Sequence, residues 1–256
     1  MPRIVSAAEA VKQIGDGATV TVNSSSGLCC PDAVLKALGE RFDSEHHPQN
    51  LTMLHPIAAG DMAGVKGVDH IAKAGLIKRI VGGSYPSGPS SAEPPLIWQL
   101  LGANEIAAYN IPSGIMFDML REAAAKRPGV LTKIGLDTFV DPAHGGCAMN
   151  AKAAAAPVVK KVNFEGEEWL YFPSIVPNVA IIRATSSDER GNLTFEQEGA
   201  YIGALDLAMA AHNNGGIVIA QVKRIIRDKP LKPHDVSVPG ILVDFIVEAP
   251  DQWQTT

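Results

Sequence analysis

The run from Asp206 to Val222 constrains this chain more than any other segment. Ala204, Leu205, Ala208, Met209 and His212 recur at helical spacing, so the sequence predicts a helix that buries that face. Gly215-Gly216 follows, at the place where a helix stops and a positive φ suits glycine. Ile217 to Val222 is then nearly continuous apolar sequence, as in a strand covered on both faces. A doubly covered strand needs helices above and below its sheet.

The rest of the chain repeats the theme. Ser6-Ala-Ala-Glu9 is a capping box opening a helix that buries Ala10, Val11 and Ile14 before Gly15. Ala18 to Val22 reads as a strand, and Pro31 as the first position of a helix with Val34, Leu35, Leu38 and Phe42 on one face. Strands are predicted at 51–54, 80–81, 106–109, 179–184, 236–238 and 241–247, and helices at 96–101 and 114–125, with a short helix end at 72–76. Val158 to Phe164 and Trp169 to Phe172 flank Glu165-Gly-Glu-Glu168, a hairpin signal. The order strand, loop, helix implies an α/β fold: a mainly parallel open sheet with helices on both faces, plus an added β-hairpin region. No linker or repeat divides residues 1–256, which read as a single domain.

Composition narrows the functions. A net charge of −5, without a dense Lys/Arg run, gives no field for nucleic acid. No apolar stretch is long enough to span a bilayer, and Met1-Pro2-Arg3 leads into structure without a secretory apolar region. Cys29, Cys30 and Cys147 are few, odd in number and not at metal-ligand spacing, which favours reduced thiols in a cytoplasm.

In open α/β sheets ligands bind beyond the carboxyl ends of the strands, and three loops fall there. Ser24, Ser25, Ser26 and Gly27 follow the first long strand and lead into a helix whose amino terminus can face an anion; the same residues also suit an ordinary polar turn. Gly82 to Ser90, beginning Gly82-Gly83-Ser84, is rich in Gly, Ser and Pro, as in a loop that brings amides to a ligand, a lid, or a rigid surface loop. Pro112-Ser113-Gly114 starts a helix directly after a strand. Its amides and the Ser113 hydroxyl can donate to a carbonyl oxygen, or Ser113 can be a helix cap.

The ionisable residues say less. Glu196 and Glu198 precede the long helix and suit its dipole. His55, His144 and His212 lack partners at ligand spacing, so no metal site is expected. Cys29 and Cys30, near a helix amino terminus, are either activated thiols or small buried side chains.

Segments spread over nearly the whole chain carry a family resemblance. They include Val81-Gly-Gly83, Tyr109-Asn-Ile-Pro112, Thr138-Phe-Val-Asp-Pro142, Ile182-Arg-Ala-Thr185, Gly191-Asn-Leu-Thr-Phe-Glu196, Ala211-His-Asn-Asn-Gly-Gly-Ile217 and Val238-Pro-Gly-Ile-Leu-Val-Asp244. In this order the chain resembles the first, α-type half of the single-chain family I coenzyme A transferases of the short-chain acyl-CoA:acetate and propionate type. Pro250-Asp-Gln-Trp-Gln-Thr-Thr256 looks like the segment that links the halves in fused enzymes. The resemblance implies the α-type fold shared with sugar-phosphate isomerases and sensors, and a reaction that moves CoA from a short or modified acyl-CoA to a carboxylic acid. In that family a glutamate attacks the thioester. A carboxylate with a reference pKa of about 4.3 is already ionised and needs no general base. That glutamate belongs to the second half, so the resemblance implies a β-type partner, a hetero-oligomer, and no cofactor beyond coenzyme A as substrate.

The sequence departs from the family in the three loops at once. Ser113 stands where members usually have Gln against the thioester oxygen; Ser24-Ser-Ser26 replaces glycine; Gly83-Ser-Tyr85 replaces a Gly-His-Trp-like run. These changes keep open a CoA-thioester hydrolase or carbon–carbon lyase on the same scaffold, and a non-catalytic ligand-sensing domain.

Overall fold

The computed structural model describes residues 1–87, 94–227, 229 and 231–253. Its main sheet runs β1 (Arg3–Ile4), β12 (Phe245–Glu248), β11 (Ile217–Ile226), β9 (Val179–Asp188), β2 (Thr19–Val22), β3 (Leu51–His55), β4 (Ile77–Gly82), β5 (Ala107–Asn110). Every neighbouring pair on that path is parallel. The short β10 (Leu193–Thr194) folds back antiparallel on β9. A second, antiparallel sheet is made of β6 (Gly129–Thr132), β8 (Glu167–Pro173) and β7 (Lys160–Phe164), in that order. The mainly parallel sheet and the added hairpin are both as the sequence predicts. Glu165 at φ 52° and Gly166 at φ 84° form the hairpin turn, the double left-handed geometry that matches strand twist.

Six helices, α1 (Ala7–Val11), α2 (Asp32–Glu45), α3 (Leu96–Gly102), α4 (Ser113–Ala124), α5 (Ala151–Ala154) and α6 (Ala204–His212), accompany the sheets among the described residues. α1, α2 and α3 pack on one face, where Val20, Met53, Ile80 and Ile219 meet Ala10, Leu35 and Ile97. α6 covers the other face over Ala180, Ile182, Val218 and Ala220, and α4 extends that layer over Leu54 and Val81. Alternate residues of β9 and β11 thus enter different cores, the reason their first halves, residues 179–182 and 217–220, are apolar without a break.

Connectivity reverses between two adjacent strands. From β2 the chain steps outward through α2 to β3, β4 and β5; from β9 it steps the opposite way through α6 to β11 and β12. The crevice at the carboxyl ends of β2 and β9 is therefore the switch point, where open α/β sheets bind ligands. β9 does not stop there. Its Ile181 pairs with Val22 at the end of β2, yet it continues to Asp188 beside Ile226 of β11. Those seven further residues carry it about 23 Å past the end of β2, at roughly 3.3 Å per residue.

Several expectations are corrected. The buried residues of α6 are Ala204, Leu207, Ala208, Ala210 and Ala211, while Leu205 is exposed and Met209 and His212 are half-buried. An alanine-rich helix is apolar on nearly every side, so small residues that fit closely against the sheet set the face. Residues 72–76 form no helix; a turn of 3-10 helix at Gly67–His70 precedes them. Pro31 is the cap residue of α2, not its first turn. Residues 236–238 contribute a single bridge, Val238 to Leu193, and Gly240–Leu242 is a 3-10 turn, so the final strand begins only at Phe245. Pro239 cannot donate to a ladder, and a methyl group on Gly240 would lie 2.1 Å from the Arg190 carbonyl oxygen.

Candidate functional site

The three sequence-defined loops converge at the carboxyl edge, joined through a fourth that the sequence did not single out. After β2, Ser25 and Leu28 exchange backbone hydrogen bonds at 2.9 and 3.0 Å, forming a tight turn with Ser26 and Gly27 at its corner. Ser26 is exposed with φ 55°, Gly27 is buried, and the Ser24 hydroxyl donates to the Ser26 carbonyl at 2.8 Å. Ser26 N–H donates to the Ala58 carbonyl at 2.8 Å, and Gly60 N–H to the Ser26 carbonyl at 2.9 Å. Ala58 N–H in turn donates to the Ser84 hydroxyl at 2.9 Å. One alanine thus ties the loop after β2 to the loop after β4. Ile57-Ala-Ala-Gly60 offered no polar side chain to betray this role.

The loop after β4 meets α4 with no room to spare. Gly83 N–H donates to the His55 carbonyl at 2.9 Å; a methyl group at Gly83 would lie 2.1 Å from the Pro56 carbonyl oxygen and 2.4 Å from Ser113 Oγ. Glycine is required by this approach. Gly82 is the last residue of β4, and its carbonyl accepts from Ile111 N–H at 2.9 Å. Gly88 to Ser90 of the expected loop lie outside the described residues.

Ser113 is the first residue of α4, and Pro112 occupies the cap position with no side-chain capping bond. The alternative of Ser113 as the cap residue is therefore not what forms. The amides of the first helical turn have no intrahelical acceptor and sit at the positive end of the helix dipole. Gly114, exposed beside half-buried Ser113, leaves this terminus open. Such a terminus can hold a developing negative oxygen.

A buried polar hub fixes the other side of the crevice. The guanidinium of Arg183 on β9 donates through Nε to Glu198 at 3.0 Å, through Nη1 to the Cys30 carbonyl at 3.2 Å and through Nη2 to the Trp253 carbonyl. Its backbone N–H donates to Asn23 Oδ1 at 2.8 Å. Glu198, expected to face the dipole of the long helix, is instead held in this pair, with its side chain 0% and that of Arg183 1% exposed. Glu196 accepts from the Ser186 and Thr194 hydroxyls and from Arg224. Gln221, deep in β11, accepts from the amides of Ala33 and Val34 at 3.0 and 3.2 Å, and so takes over the capping of α2. Sequence reading missed Arg183 and Gln221, each of which has partners more than 150 residues away, Asn23 and Cys30 for Arg183 and Ala33 and Val34 for Gln221.

Cys29 and Cys30 are fully buried, and burial pushes both thiols up to about 12, so of the two readings the small buried side chains are what the structure shows. His55, at the end of β3, is 2% exposed with no hydrogen-bond partner on either ring nitrogen, and burial lowers its pKa to about 4. Among the described residues no group of three His, Cys, Asp or Glu side chains is placed to hold a metal ion, and no helix is long and apolar enough to cross a membrane.

Comparison with known proteins matches residues 4–249 to the family model Coenzyme A transferase. The acetate CoA-transferase YdiF of Escherichia coli is 39% identical over 98% of this chain, and the match takes in 46% of YdiF. The crystal structure of the YdiF apoenzyme superposes with a TM-score of 0.91 at 38% identity, over 99% of this chain and 48% of that one. The separate alpha chain of another acetate CoA-transferase of Escherichia coli is 22% identical over 91% of this chain and 90% of its own length. The chain thus spans about half the length of YdiF and 90% of that alpha subunit.

Proposed function

The chain belongs to the coenzyme A transferase family, and from that premise we propose that it is the α-type half of an enzyme moving CoA between a short or modified acyl-CoA and a carboxylic acid. The observation that carries this reading is the full-length match to one half of YdiF. The crevice fits the role. It offers hydrogen-bond donors at the α4 terminus, while the two glutamates at this edge, Glu196 and Glu198, are engaged by arginines and hydroxyls. The nucleophilic glutamate then comes from a β-type partner or second half, in keeping with relatives whose names mark them as alpha chains of their enzymes. Coenzyme A enters as substrate.

In this mechanism the partner's carboxylate attacks the thioester carbon, the carbonyl oxygen gathers charge with Ser113 and Gly114 as its donors, and the C–S bond then breaks, releasing the CoA thiolate and leaving an acyl-glutamyl anhydride. Losing one such donor typically costs about 10²–10³ in rate. Acyl-glutamyl intermediates hydrolyse readily, so the crevice must be closed to water during turnover. The test mixes this chain with a second-half polypeptide, an acyl-CoA and acetate. Formation of acetyl-CoA only when both polypeptides are present supports the reading. Turnover by this chain alone removes it, and free CoA released without an acceptor assigns the pair to thioester hydrolysis or cleavage instead.

A further inference from the structure

The loop after β2 enters α2 through residues 30–34, and two side chains from other strands hold that strip. Arg183 Nη1 donates to the Cys30 carbonyl, and Gln221 Oε1 accepts from the amides of Ala33 and Val34. Both side chains belong to residues that are 1% exposed. Each has a further N–H that the strip does not take, and residues 249–253 accept both. Arg183 Nη2 donates to the Trp253 carbonyl, and Gln221 Nε2 donates to Gln252 Oε1 at 3.0 Å.

The segment is shaped to reach them. Ala249 N–H donates to the Val222 carbonyl at 2.7 Å as the chain leaves β12, and Gln252 N–H donates to the Ala249 carbonyl at 3.0 Å, closing a turn through Pro250 and Asp251. That turn lays Gln252 over β9, where its Nε2 donates to the Ala184 carbonyl at 3.0 Å and to Glu198 at 3.3 Å. One carboxamide thus meets β9, β11 and the residue that pairs with Arg183. The ring of Trp253 lies over Gly64, where a methyl group would be 1.9 Å from it. As far as Trp253, the stretch that the sequence suggests as a link between halves is folded into this half.

Beside the segment is a hollow of about 540 Å³, lined by Lys36, Glu248 and Trp253 and reaching Arg183 and Gln221. Water entering there can satisfy the N–H groups that the segment gives up when it lifts. Lifting it is therefore a local opening, well short of unfolding the sheet.

We propose that residues 249–253 are a clasp that holds the loop after β2 in its binding shape, and that Gln252 is the positioning residue at its centre, acting through Gln221 and Arg183. Closed, the clasp keeps Cys30 to Val34 fixed, and with them the outgoing limb of the turn that carries Ser25, Ser26 and Gly27. Open, it releases that limb while the core beneath α4 stays packed.

The test uses the three buried thiols as reporters. Cys29 and Cys30 lie in the strip or next to it, whereas Cys147 belongs to the separate core under α4. The folded full chain is treated with a small aromatic disulfide at pH 8 without denaturant, and the labelled cysteines are located by peptide mass. Gln252→Met keeps the length of the side chain and removes its amide. It is expected to speed labelling at Cys29 and Cys30 about tenfold or more, with Cys147 within about twofold of the parent. Asp251→Ala, at the exposed neighbour, should label as the parent does. In the reconstituted transferase, Gln252→Met should raise the KM for acyl-CoA by about tenfold with kcat within about twofold, the signature of lost uniform binding. Equal acceleration at all three cysteines, as a variant that fails to fold would give, overturns the proposal. So does an unchanged rate at Cys29 and Cys30, the same response from Asp251→Ala, or an unmoved KM. An inactive parent pair overturns the transferase reading instead, and the labelling pattern then decides the clasp by itself.

Discussion

Replacing His55 by leucine tests the burial of the crevice floor through its response to pH. His55 ends β3 at 2% exposure, and neither ring nitrogen has a hydrogen-bond partner. Burial drops its pKa from 6.5 to about 4, because a charged imidazole loses its hydration without gaining an anion. The unfolded chain therefore binds a proton between pH 6.5 and about 4 that the folded chain refuses. Stability from this residue is fully present above 6.5 and is lost as pH falls through that window toward 4. At roughly 1.4 kcal/mol per pH unit, the interval is worth about 3 kcal/mol, a large share of a typical 5–15 kcal/mol total. Leucine has similar bulk and no proton to bind. Urea unfolding of the parent and His55→Leu at pH 7.5 and 4.5 isolates the term, since all other groups titrate in both proteins. Relative to the parent, the variant should gain most of that 3 kcal/mol on acidification. A difference in stability that stays flat between the two pH values refutes a buried, neutral, unpartnered histidine.

Three further outcomes follow from the same geometry. Gly83→Ala forces a methyl group against the Pro56 carbonyl and Ser113 Oγ; it should cost about 1–3 kcal/mol in urea unfolding and slow the reconstituted transferase by displacing the α4 terminus. Arg183→Met strands the buried Glu198 carboxylate and should cost about 3–5 kcal/mol at neutral pH, read from the denaturation midpoint. Cys29, Cys30 and Cys147 should resist a thiol reagent at pH 8 in the native chain and react on unfolding, because burial raises each pKa to about 12.

What could be read in the residues was what is encoded locally. The Ser6/Glu9 box, the stop at Gly215, the Glu165-Gly166 turn and the doubly covered β11 each rest on neighbours in sequence, and each forms. The loops bearing Ser26, Ser84 and Ser113 were found because the topology of parallel sheets puts such loops at one edge. Their wiring was not legible, because Ala58 connects two of them with its peptide groups. The face of α6 was misjudged because alanine gives little contrast between sides, and the strand expected across 241–244 failed because Pro239 and Gly240 override an apolar run. Arg183 reads as a lone charge within a strand until Glu198 and Asn23 are folded onto it.

The overreach of β9 past β2 has a mechanical consequence for traffic into the crevice. A span fastened on one side to β11 and hooked by β10 is braced by cross-strand hydrogen bonds and cannot bend down like a flap. It is a fixed parapet along one bank. Movement over the crevice is thereby left to the opposite bank, where Ser84 and Tyr85 stand.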